Sequence, residues 1–311
     1  MQRKGCVMAV GGANLDISAC ADQPLRAADS APGRVHTSAG GVARNVAENL
    51  ARLGHATRLL SAVGDDPQGH SLLAATRMAG VDVSACWVVP GAASASYVSV
   101  HDHAGALTVA VNDMQIIEHI TPERLAPHAR QFQQAAALVV DCNLAEPALA
   151  WLLANCDAAP VFVDAVSAFK CRRVLASLSR VHTLKVNRLE AGALSGLPLG
   201  SEAEVEAAAG WLHRQGVRNI VLSLGDQGLY FSQAHGACGW QRALPVTVVS
   251  TTGAGDALLA GLVHSHLAGA KLSRAARFAS GCAALTLTVA SANHPGLSVD
   301  RVDRWLDSVA A

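Results

Sequence analysis

The sequence predicts an α/β fold in which helices flank a doubly wound, mainly parallel β-sheet. Short apolar runs of strand length alternate with helical patterns along most of the 311 residues, and this alternation is typical of such a sheet. Hydrophobic residues make up 51% of the chain and charged residues 15%, so a sizeable core can form. No repeat or long linker divides the sequence, and we therefore expect one domain over 1–311.

Six apolar runs have the length of buried strands. Helical patterns follow most of them, and the clearest are 42–53 and 254–267. Because such sheets bind ligands beyond the carboxyl ends of their strands, Asp141, Asp164 and Asn187 lie at the edge where a ligand would bind. The six predicted strands are 7–10, 59–63, 137–141, 161–164, 183–186 and 219–224.

One region breaks the alternation and predicts a second, small sheet. The β-like runs 96–101 and 106–111 surround a glycine turn, which indicates a hairpin. With 16–21 and 34–38 they would form a sheet that projects from the main domain. Because a sheet with an exposed apolar face needs a partner, we expect a lid over the site that also joins two copies into a homodimer. The predicted lid comprises about 13–38 and 94–113.

Charge and cysteine usage argue against several classes of function. Lys and Arg number 24, as do Asp and Glu, without a long basic run, so the sequence predicts neither nucleic-acid nor membrane binding. The apolar stretch 6–10 is too short for a signal peptide or a membrane span. The eight cysteines show no metal-finger spacing and are typical of reduced thiols. We therefore expect a cytoplasmic protein.

The segment TTGAGDALLAG, which starts at Thr251, carries the strongest chemical signal. Gly253 and Gly255 flank Ala254 where an apolar helix begins, so several backbone N–H groups are left without partners. Together with the positive helix end they form an anion hole suited to phosphate. Asp256 falls in the first turn and is aimed at the same place. Taken alone, the segment is equally compatible with an ordinary helix start that has an acidic first turn.

The position of Asp256 predicts a lowered pKa, since the helix N-terminus favours its charged form. Such a carboxylate is a weak base. Phosphoryl transfer tolerates a weak base, because its transition state is loose and the hydroxyl proton leaves late. Asp256 therefore suits activation of a substrate hydroxyl better than it suits general-acid chemistry.

Two polar clusters near the N-terminus could bind the vicinal hydroxyls of a sugar. Asn14 and Asp16 follow the first predicted strand, and Asn45 lies in the first turn of the helix that follows Gly40 and Gly41. The side chains offer donors and acceptors, while the glycines permit close approach. Each cluster alone is also typical turn chemistry.

A third cluster could serve phosphates. Asn187 and Glu190 share a helix face and could orient water around a Mg²⁺ that bridges phosphates, because Mg²⁺ usually retains much of its water shell. The alternative is a capping box between the same two residues. The glycine turn from Ser223 to Gly228 could pass close to a nucleotide.

Motifs of several competing enzyme classes are missing. The sequence has no Walker A loop, no HExxH and no GxSxG, and Gly11-Gly12 does not extend to the GxGxxG of a nicotinamide dehydrogenase. The 13 histidines are scattered without ligand spacing, and we interpret them as surface or packing residues.

In order and spacing, GG-x-x-x-N near 40, N-x-x-E near 187 and TTGAGD near 251 resemble the ribokinase-like (phosphofructokinase-B) family over essentially the whole chain. The resemblance implies an ATP- and Mg²⁺-dependent sugar or nucleoside kinase, with Asp256 as catalytic base and the 253–255 amides as anion hole. The resemblance also implies three sets of binding residues. The sugar would be surrounded by Asn14, Asp16, Gly40, Gly41 and Asn45, and Mg²⁺ would be held through water by Asn187 and Glu190. ATP would be surrounded by Asn187, Ser223, Gly225, Gly228, Thr252 and Ala283.

Within the family, the sequence most resembles bacterial members that phosphorylate the 5′-hydroxyl of the nucleoside pseudouridine. By their place in the lid, Ser30, Asn112 and Asp113 are the expected contacts to the uracil base. The alternatives are a member that acts on ribose, adenosine or inosine, and a ligand-binding member that has lost catalysis. The segments that carry this resemblance are ADSAPG from Ala28, VNDM from Val111, VDCN from Val140, VDAVSA from Val163 and KVNRLEA from Lys185.

The chain departs from the family pattern at three positions. Ser250 stands where related kinases often carry Asp, so a K⁺ site there would depend on backbone carbonyls. Val186 and Ala165 replace common prolines, which are stiffening residues.

Overall fold

The computed structural model describes residues 5–309. Its strands are β1 (Val7–Val10), β2 (Asn14–Ala21), β3 (Gly33–Gly40), β4 (Thr57–Leu60), β5 (Ala62–Gly64), β6 (Trp87–Val89), β7 (Ser96–His101), β8 (Leu107–Asp113), β9 (Ala137–Asp141), β10 (Val161–Asp164), β11 (Thr183–Asn187), β12 (Asn219–Ser223), β13 (Leu229–Gln233) and β14 (Cys238–Gln241). Its α-helices are α1 (Val42–Arg52), α2 (Pro67–Met78), α3 (Pro122–Leu125), α4 (Ala129–Gln134), α5 (Glu146–Ala154), α6 (Arg188–Ser195), α7 (Glu202–Arg214), α8 (Ala254–Leu267), α9 (Leu272–Leu287) and α10 (Val299–Ser308).

The main sheet confirms the predicted α/β architecture. Within the described range it has the strand order β14-β13-β12-β11-β10-β9-β1-β4, and its pairs are parallel from β12 to β4. β13 and β14 add an antiparallel edge. The carboxyl ends of six parallel strands therefore meet at one edge of the sheet.

Helices cover both faces of this sheet, and β1 shows how the sequence builds the two layers. Its four side chains are all buried, since alternate residues of a strand point to opposite faces. Met8 and Val10 join the core cluster that includes side chains of α5 and α7. Val7 and Ala9 join the cluster that includes α1, α8 and α9.

One predicted strand was wrong. The run 59–63 divides at Ser61 into β4, in the main sheet, and β5, which pairs with β6 in a separate two-stranded sheet. The Ser61 hydroxyl donates to the Gly11 carbonyl at 2.7 Å, and this bond marks where the chain leaves the main sheet. The sequence alone does not show where the chain leaves the main sheet, because the residues on both sides of Ser61 are buried and form one unbroken apolar run.

The second sheet has the order β3-β2-β7-β8 and confirms the four predicted lid strands. Its side chains alternate between a polar face, which includes Asp16, and an apolar face. Val35 and Val111 on the apolar face are 69% and 66% exposed.

None of the helices within 5–309 is both long enough and apolar enough to span a bilayer.

Candidate active site

The tip of α8 has the backbone geometry of an anion site. Gly253 precedes the helix with φ 79°, and a Cβ there would lie 1.9 Å from the Ala292 carbonyl oxygen. Glycine is therefore required both by the backbone angle and by the lack of space. The first-turn amides of Ala254, Gly255 and Asp256 have no partner in a preceding turn, so they can bind an anion.

Asp256 connects this helix tip to the cluster near Gly40. Its carboxylate is buried, and Oδ2 accepts a hydrogen bond from Nδ2 of Asn45 at 2.8 Å. Asn45 lies in the first turn of α1, 211 residues away in sequence. The starts of two helices thus meet at one point, where a carboxylate, an amide and free backbone donors are close together.

A buried lysine lies directly behind the helix tip. A Cβ on Gly255 would lie 2.7 Å from Nζ of Lys185, and that Nζ donates to Asp164 Oδ2 at 3.1 Å. Burial alone would lower the pKa of Lys185, but the charges of Asp164, Glu190 and Asp256 outweigh burial and raise it. Lys185 therefore holds a permanent positive charge beside the proposed anion hole.

Sequence reasoning missed the role of Lys185. The available signal was a single lysine inside the apolar run 183–186, since a buried lysine needs a charged partner. The partner, Asp164, ends the neighbouring strand β10, which is paired with β11.

The lowered pKa expected for Asp256 was wrong. Burial raises its pKa well above the ordinary value of 3.8, and the charge of Asp164 raises it further. The hydrogen bond from Asn45 and the charge of Lys185 act in the opposite direction but do not compensate. The prediction failed because it considered the favourable effect of the helix N-terminus on the charged form and omitted the unfavourable effect of desolvation. Asp256 is consequently a stronger base than the sequence suggested.

Asp141 holds the floor of the site together. It is fully buried, and its Oδ2 accepts from the backbone N–H groups of Gly12 at 2.8 Å and Ala43 at 2.9 Å. Oδ1 accepts from the N–H of Asn143 at 2.9 Å. One side chain thereby fixes the turn after β1, the start of α1 and the turn after β9.

The predicted sugar-binding residues come together beside this floor. Nδ2 of Asn14 donates to Asp16 Oδ1 at 2.7 Å. A Cβ on Gly40 would overlap the Asp16 carboxylate, 2.1 Å from Oδ2, so glycine is needed for this approach. Gly41 has φ 99° and lies against Ala13. Burial raises the pKa of Asp16.

Asn187 and Glu190 form the capping box that was considered as an alternative. Glu190 Oε2 accepts from the Asn187 backbone N–H and Oε1 accepts from its Nδ2, both at 2.7 Å. Burial raises the pKa of Glu190. The box does not exclude a ligand at the same edge, since each carboxylate oxygen has a second lone pair. A single carboxylate also suits Mg²⁺ that is held mainly by phosphates and water.

The residues predicted to surround ATP continue along this edge. Ser223 is the β12 partner of Asn187 in the sheet register. Gly225 and Gly228 follow with φ 64° and 91°, and a Cβ on Gly228 would lie 2.1 Å from the Gln241 carbonyl oxygen. Thr252 is exposed just before the α8 tip, and Ala283 is half-buried on α9, which packs against α8.

The lid residues predicted to contact uracil are not brought together. The register runs from Asn14–Gly40 at one end of the β2–β3 pair to Ala21–Gly33 at the other, a length of about 23 Å. Ser30 is exposed in the loop beyond this far end.

Asn112 and Asp113 differ from one another. Asn112 pairs with Tyr97, which pairs with Asp16, so Asn112 shares the face of the lid that carries Asp16. Asp113 is the next residue and points to the opposite face, and its Oδ1 accepts from the Gln115 backbone N–H at 3.1 Å.

Comparison with known proteins agrees with this geometry. The sequence pattern of the pfkB family carbohydrate kinases matches residues 5–298. The chain belongs to this family. Pseudouridine kinase of Escherichia coli (strain K12) is 45% identical over 302 residues, which are 97% of this chain and 96% of that protein. An uncharacterized sugar kinase of the same strain is 39% identical, covering 96% of this chain and 82% of that protein.

Solved structures show the same fold. A putative sugar kinase from Clostridium perfringens has a TM-score of 0.85 at 28% identity, over 98% of this chain and 96% of that one. Ribokinase from Arabidopsis thaliana, complexed with ribose and ATP, has a TM-score of 0.86 at 20% identity, over 97% and 98%. The predictions of a ribokinase-like fold and of an ATP-dependent sugar or nucleoside kinase are thereby confirmed.

Proposed function

We propose that the protein is a pseudouridine kinase that transfers the γ-phosphoryl group of ATP to the 5′-hydroxyl of pseudouridine, giving pseudouridine 5′-phosphate. The 45% identity to the E. coli pseudouridine kinase supports this choice of substrate. The observation that carries the chemistry is the hydrogen bond between Asn45 and Asp256. It joins the cluster suited to sugar hydroxyls to the helix tip suited to phosphate.

In the proposed reaction, Asp256 accepts the proton of the 5′-hydroxyl while that oxygen bonds to the γ-phosphorus and the bond to ADP breaks. The amides at 253–255 stabilise the negative charge on the transferring group. Asn14 and Asp16 hold the ribose hydroxyls, with Gly40 and Gly41 allowing the sugar close to the backbone. The raised pKa of Asp256 favours proton acceptance once the carboxylate is charged.

ATP would lie along the edge formed by Asn187, Ser223 and the glycines 225 and 228, with Thr252 and Ala283 on the other side. Mg²⁺, when bound with ATP, would neutralise phosphate charge. Asn187 and Glu190 would hold it through water, since their own mutual hydrogen bonds fix the orientation of both side chains. A K⁺ site near Ser250 stays a prediction that depends on backbone carbonyls.

The lid would close over the nucleoside and join two copies through its apolar face. Of the three expected uracil contacts, Asn112 is the one that the geometry supports, because it shares a face with Asp16. We expect the protein to act in the cytoplasm on small molecules, without nucleic-acid or membrane partners.

A substrate panel tests this proposal. ADP release would be measured with ATP, Mg²⁺ and each of pseudouridine, uridine, ribose, adenosine and inosine, and the product identified by ³¹P NMR. Uridine is the matched control, since it carries the same ribose and base joined through nitrogen. We expect kcat/KM for pseudouridine to exceed that for each of the others by at least about 10-fold, the scale of one or two lost hydrogen bonds.

Preference for ribose, adenosine or inosine would contradict the choice of pseudouridine while leaving the kinase assignment intact. If ADP release did not depend on any of these acceptors, the non-catalytic alternative would be favoured.

A further inference from the structure

A buried arginine beside the proposed base has no role in the reaction described so far. Arg44 is 3% exposed and lies in the first turn of α1. A cation is unfavourable at the positive end of a helix, and burial adds a desolvation cost. Its partners therefore need to compensate for both.

The partners of Arg44 surround Asn45. Nη2 pairs with Glu48, and Nη1 donates to Oδ1 of Asn45. Nη1 also lies 3.3 Å from Oδ1 of Asn293, whose own Nδ2 donates to the Asn45 carbonyl at 2.9 Å. The side chain and the backbone of Asn45 are thus held by Arg44 and Asn293 respectively.

This arrangement determines which way the Asn45 amide points. Because Arg44 is a donor without acceptor capacity, it can bond only the oxygen end of the amide. The nitrogen end is consequently turned towards Asp256, where it donates to Oδ2 at 2.8 Å. Oδ1 of Asp256 then remains for a substrate hydroxyl.

We propose that Arg44 is a positioning residue for phosphoryl transfer: it fixes the Asn45 amide, which in turn fixes the Asp256 carboxylate. This inference rests on the proposed role of Asp256 as base and extends it to a residue that does not touch substrate. Asn293 acts with Arg44 by holding the backbone of Asn45.

Arg44 also contributes its charge. Besides burial, the charges of Asp164 on β10 and Asp141 on β9 raise the pKa of Asp256, and that of Lys185 on β11 lowers it. Arg44 on α1 interacts with the charge of Asp256, as it does with those of Glu48 and Asp16. A positive charge favours the carboxylate, as does the Asn45 donor. Loss of Arg44 would therefore raise the pKa of Asp256 further, and the acidic limb of kcat/KM would move to higher pH.

The test compares Arg44→Met with Arg44→Lys, using Arg52→Met as the matched control. Arg52 donates to Oε1 of Glu48 at 2.7 and 2.9 Å and to the Pro295 carbonyl, but no bond to Asn45 is present, so its loss disturbs the ion-pair cluster without removing a contact to Asn45. We expect Arg44→Met to lower kcat about 10- to 100-fold, the scale of a lost charged hydrogen bond. The KM for ATP should change less than about twofold, since Arg44 does not face the ATP edge.

The other two variants separate orientation from charge. Arg44→Lys keeps the charge but lacks the two-nitrogen fork, so kcat should fall while the acidic limb stays near its wild-type position. Arg52→Met should retain wild-type kcat and pH profile. Equal loss of kcat in Arg52→Met and Arg44→Met would mean that the ion-pair cluster is merely structural, and it would overturn the proposal.

A double-mutant cycle tests the route through Asn45. In an Asn45→Ala background, Arg44→Met should lower kcat by no more than about twofold, because residues that act as a unit are not additive. A full additional loss would overturn the proposal. If Arg44→Met does not fold, Asn293→Ala replaces it in the same cycle, with an expected loss of about threefold in the wild-type background alone.

These measurements use whichever acceptor the wild-type enzyme phosphorylates fastest. An error in the choice of pseudouridine therefore appears as a different best substrate. An error about Arg44 appears as an unchanged kcat in its variants.

Discussion

The floor of the site and the lid are built in opposite ways. In the floor, Asp256, Lys185, Asp164 and Asp141 are buried, and each has hydrogen-bond or charge partners among the others or in the nearby backbone. The lid is a single sheet, and apolar side chains such as Val111 are largely exposed on one of its faces. The groups of the floor thus find their partners within one chain, whereas the lid leaves an apolar face exposed.

This difference teaches where each part of the function resides. Buried carboxylates and a lysine that hold one another in place keep the reacting groups fixed before substrate arrives, which is the condition for electrostatic stabilisation of a transition state. An uncovered sheet can move or pair without disturbing those groups. In the proposed function, the floor would carry the chemistry, and the lid would enclose the substrate and join two copies.

The largest expected effect comes from removing the base in the floor. Asp256→Asn should lower kcat about 10²- to 10⁴-fold, the range that general-base catalysis contributes. Pseudouridine binding, measured by calorimetry, should persist because Asn14 and Asp16 are untouched. Asp307→Asn, on the exposed side of α10, is the control and should retain turnover. Wild-type turnover in Asp256→Asn would contradict the mechanism.

Two glycines at opposite ends of α8 test how closely the floor is packed. Gly253 and Gly269 have similar φ angles of 79° and 74°. The space around them differs. A Cβ on Gly253 would lie 1.9 Å from the Ala292 carbonyl oxygen, whereas a Cβ on Gly269 would have none of the described residues within 4 Å apart from its chain neighbours. Gly269→Ala should cost about 1–2 kcal/mol of unfolding free energy from backbone strain. Gly253→Ala should cost about 2–5 kcal/mol in total, since overpacking is added to strain.

Urea unfolding and steady-state kinetics measure both effects. Gly253→Ala should also lower kcat, because movement of the helix tip displaces the amides of the anion hole, and Gly269→Ala should not. Equal unfolding free energies for the two variants would show that the tip of α8 can relax around a methyl group.

A substitution on the apolar face of the lid is expected to have the smallest effect on turnover per active site. Val111→Asp should convert a dimer into a monomer, measured by sedimentation velocity, because it places charge in the proposed apolar interface. The unfolding free energy of the monomer itself should change by less than about 0.5 kcal/mol, as for other exposed positions. Met78→Asp is the control, since Met78 is 89% exposed on α2, outside the lid. A wild-type monomer, or a dimer that survives Val111→Asp, would contradict the proposed role of the lid.

The sequence was sufficient to predict the α/β architecture, most of the parallel strands and several members of the floor, but not β6 or the antiparallel edge strands β13 and β14. Glycines at a helix start and polar residues at strand ends are local patterns, so Asp256, Asn45 and the four lid strands could be predicted. The split at Ser61 depends on a hydrogen bond to Gly11, which a local pattern does not contain.

Burial and contacts between residues that are distant in sequence explain the wrong pKa prediction and the missed lysine. Burial, which depends on the whole fold, raises the pKa of Asp256 most, and the charge of Asp164, which lies 92 positions earlier, raises it further. Lys185 likewise gains its role from Asp164 and from the close approach of Gly255. Ser30, predicted as a uracil contact from its place in the lid, lies in the loop beyond the far end of the β2–β3 pair, and its contact to the base stays a prediction.

A crystal structure with pseudouridine and a non-hydrolysable ATP analogue tests the central claim most directly. We predict that the 5′-oxygen lies about 3 Å from a carboxylate oxygen of Asp256, in line with the γ-phosphorus and above the 253–255 amides. A ternary complex in which the 5′-oxygen faces a different side chain, with the γ-phosphate away from the tip of α8, would contradict it.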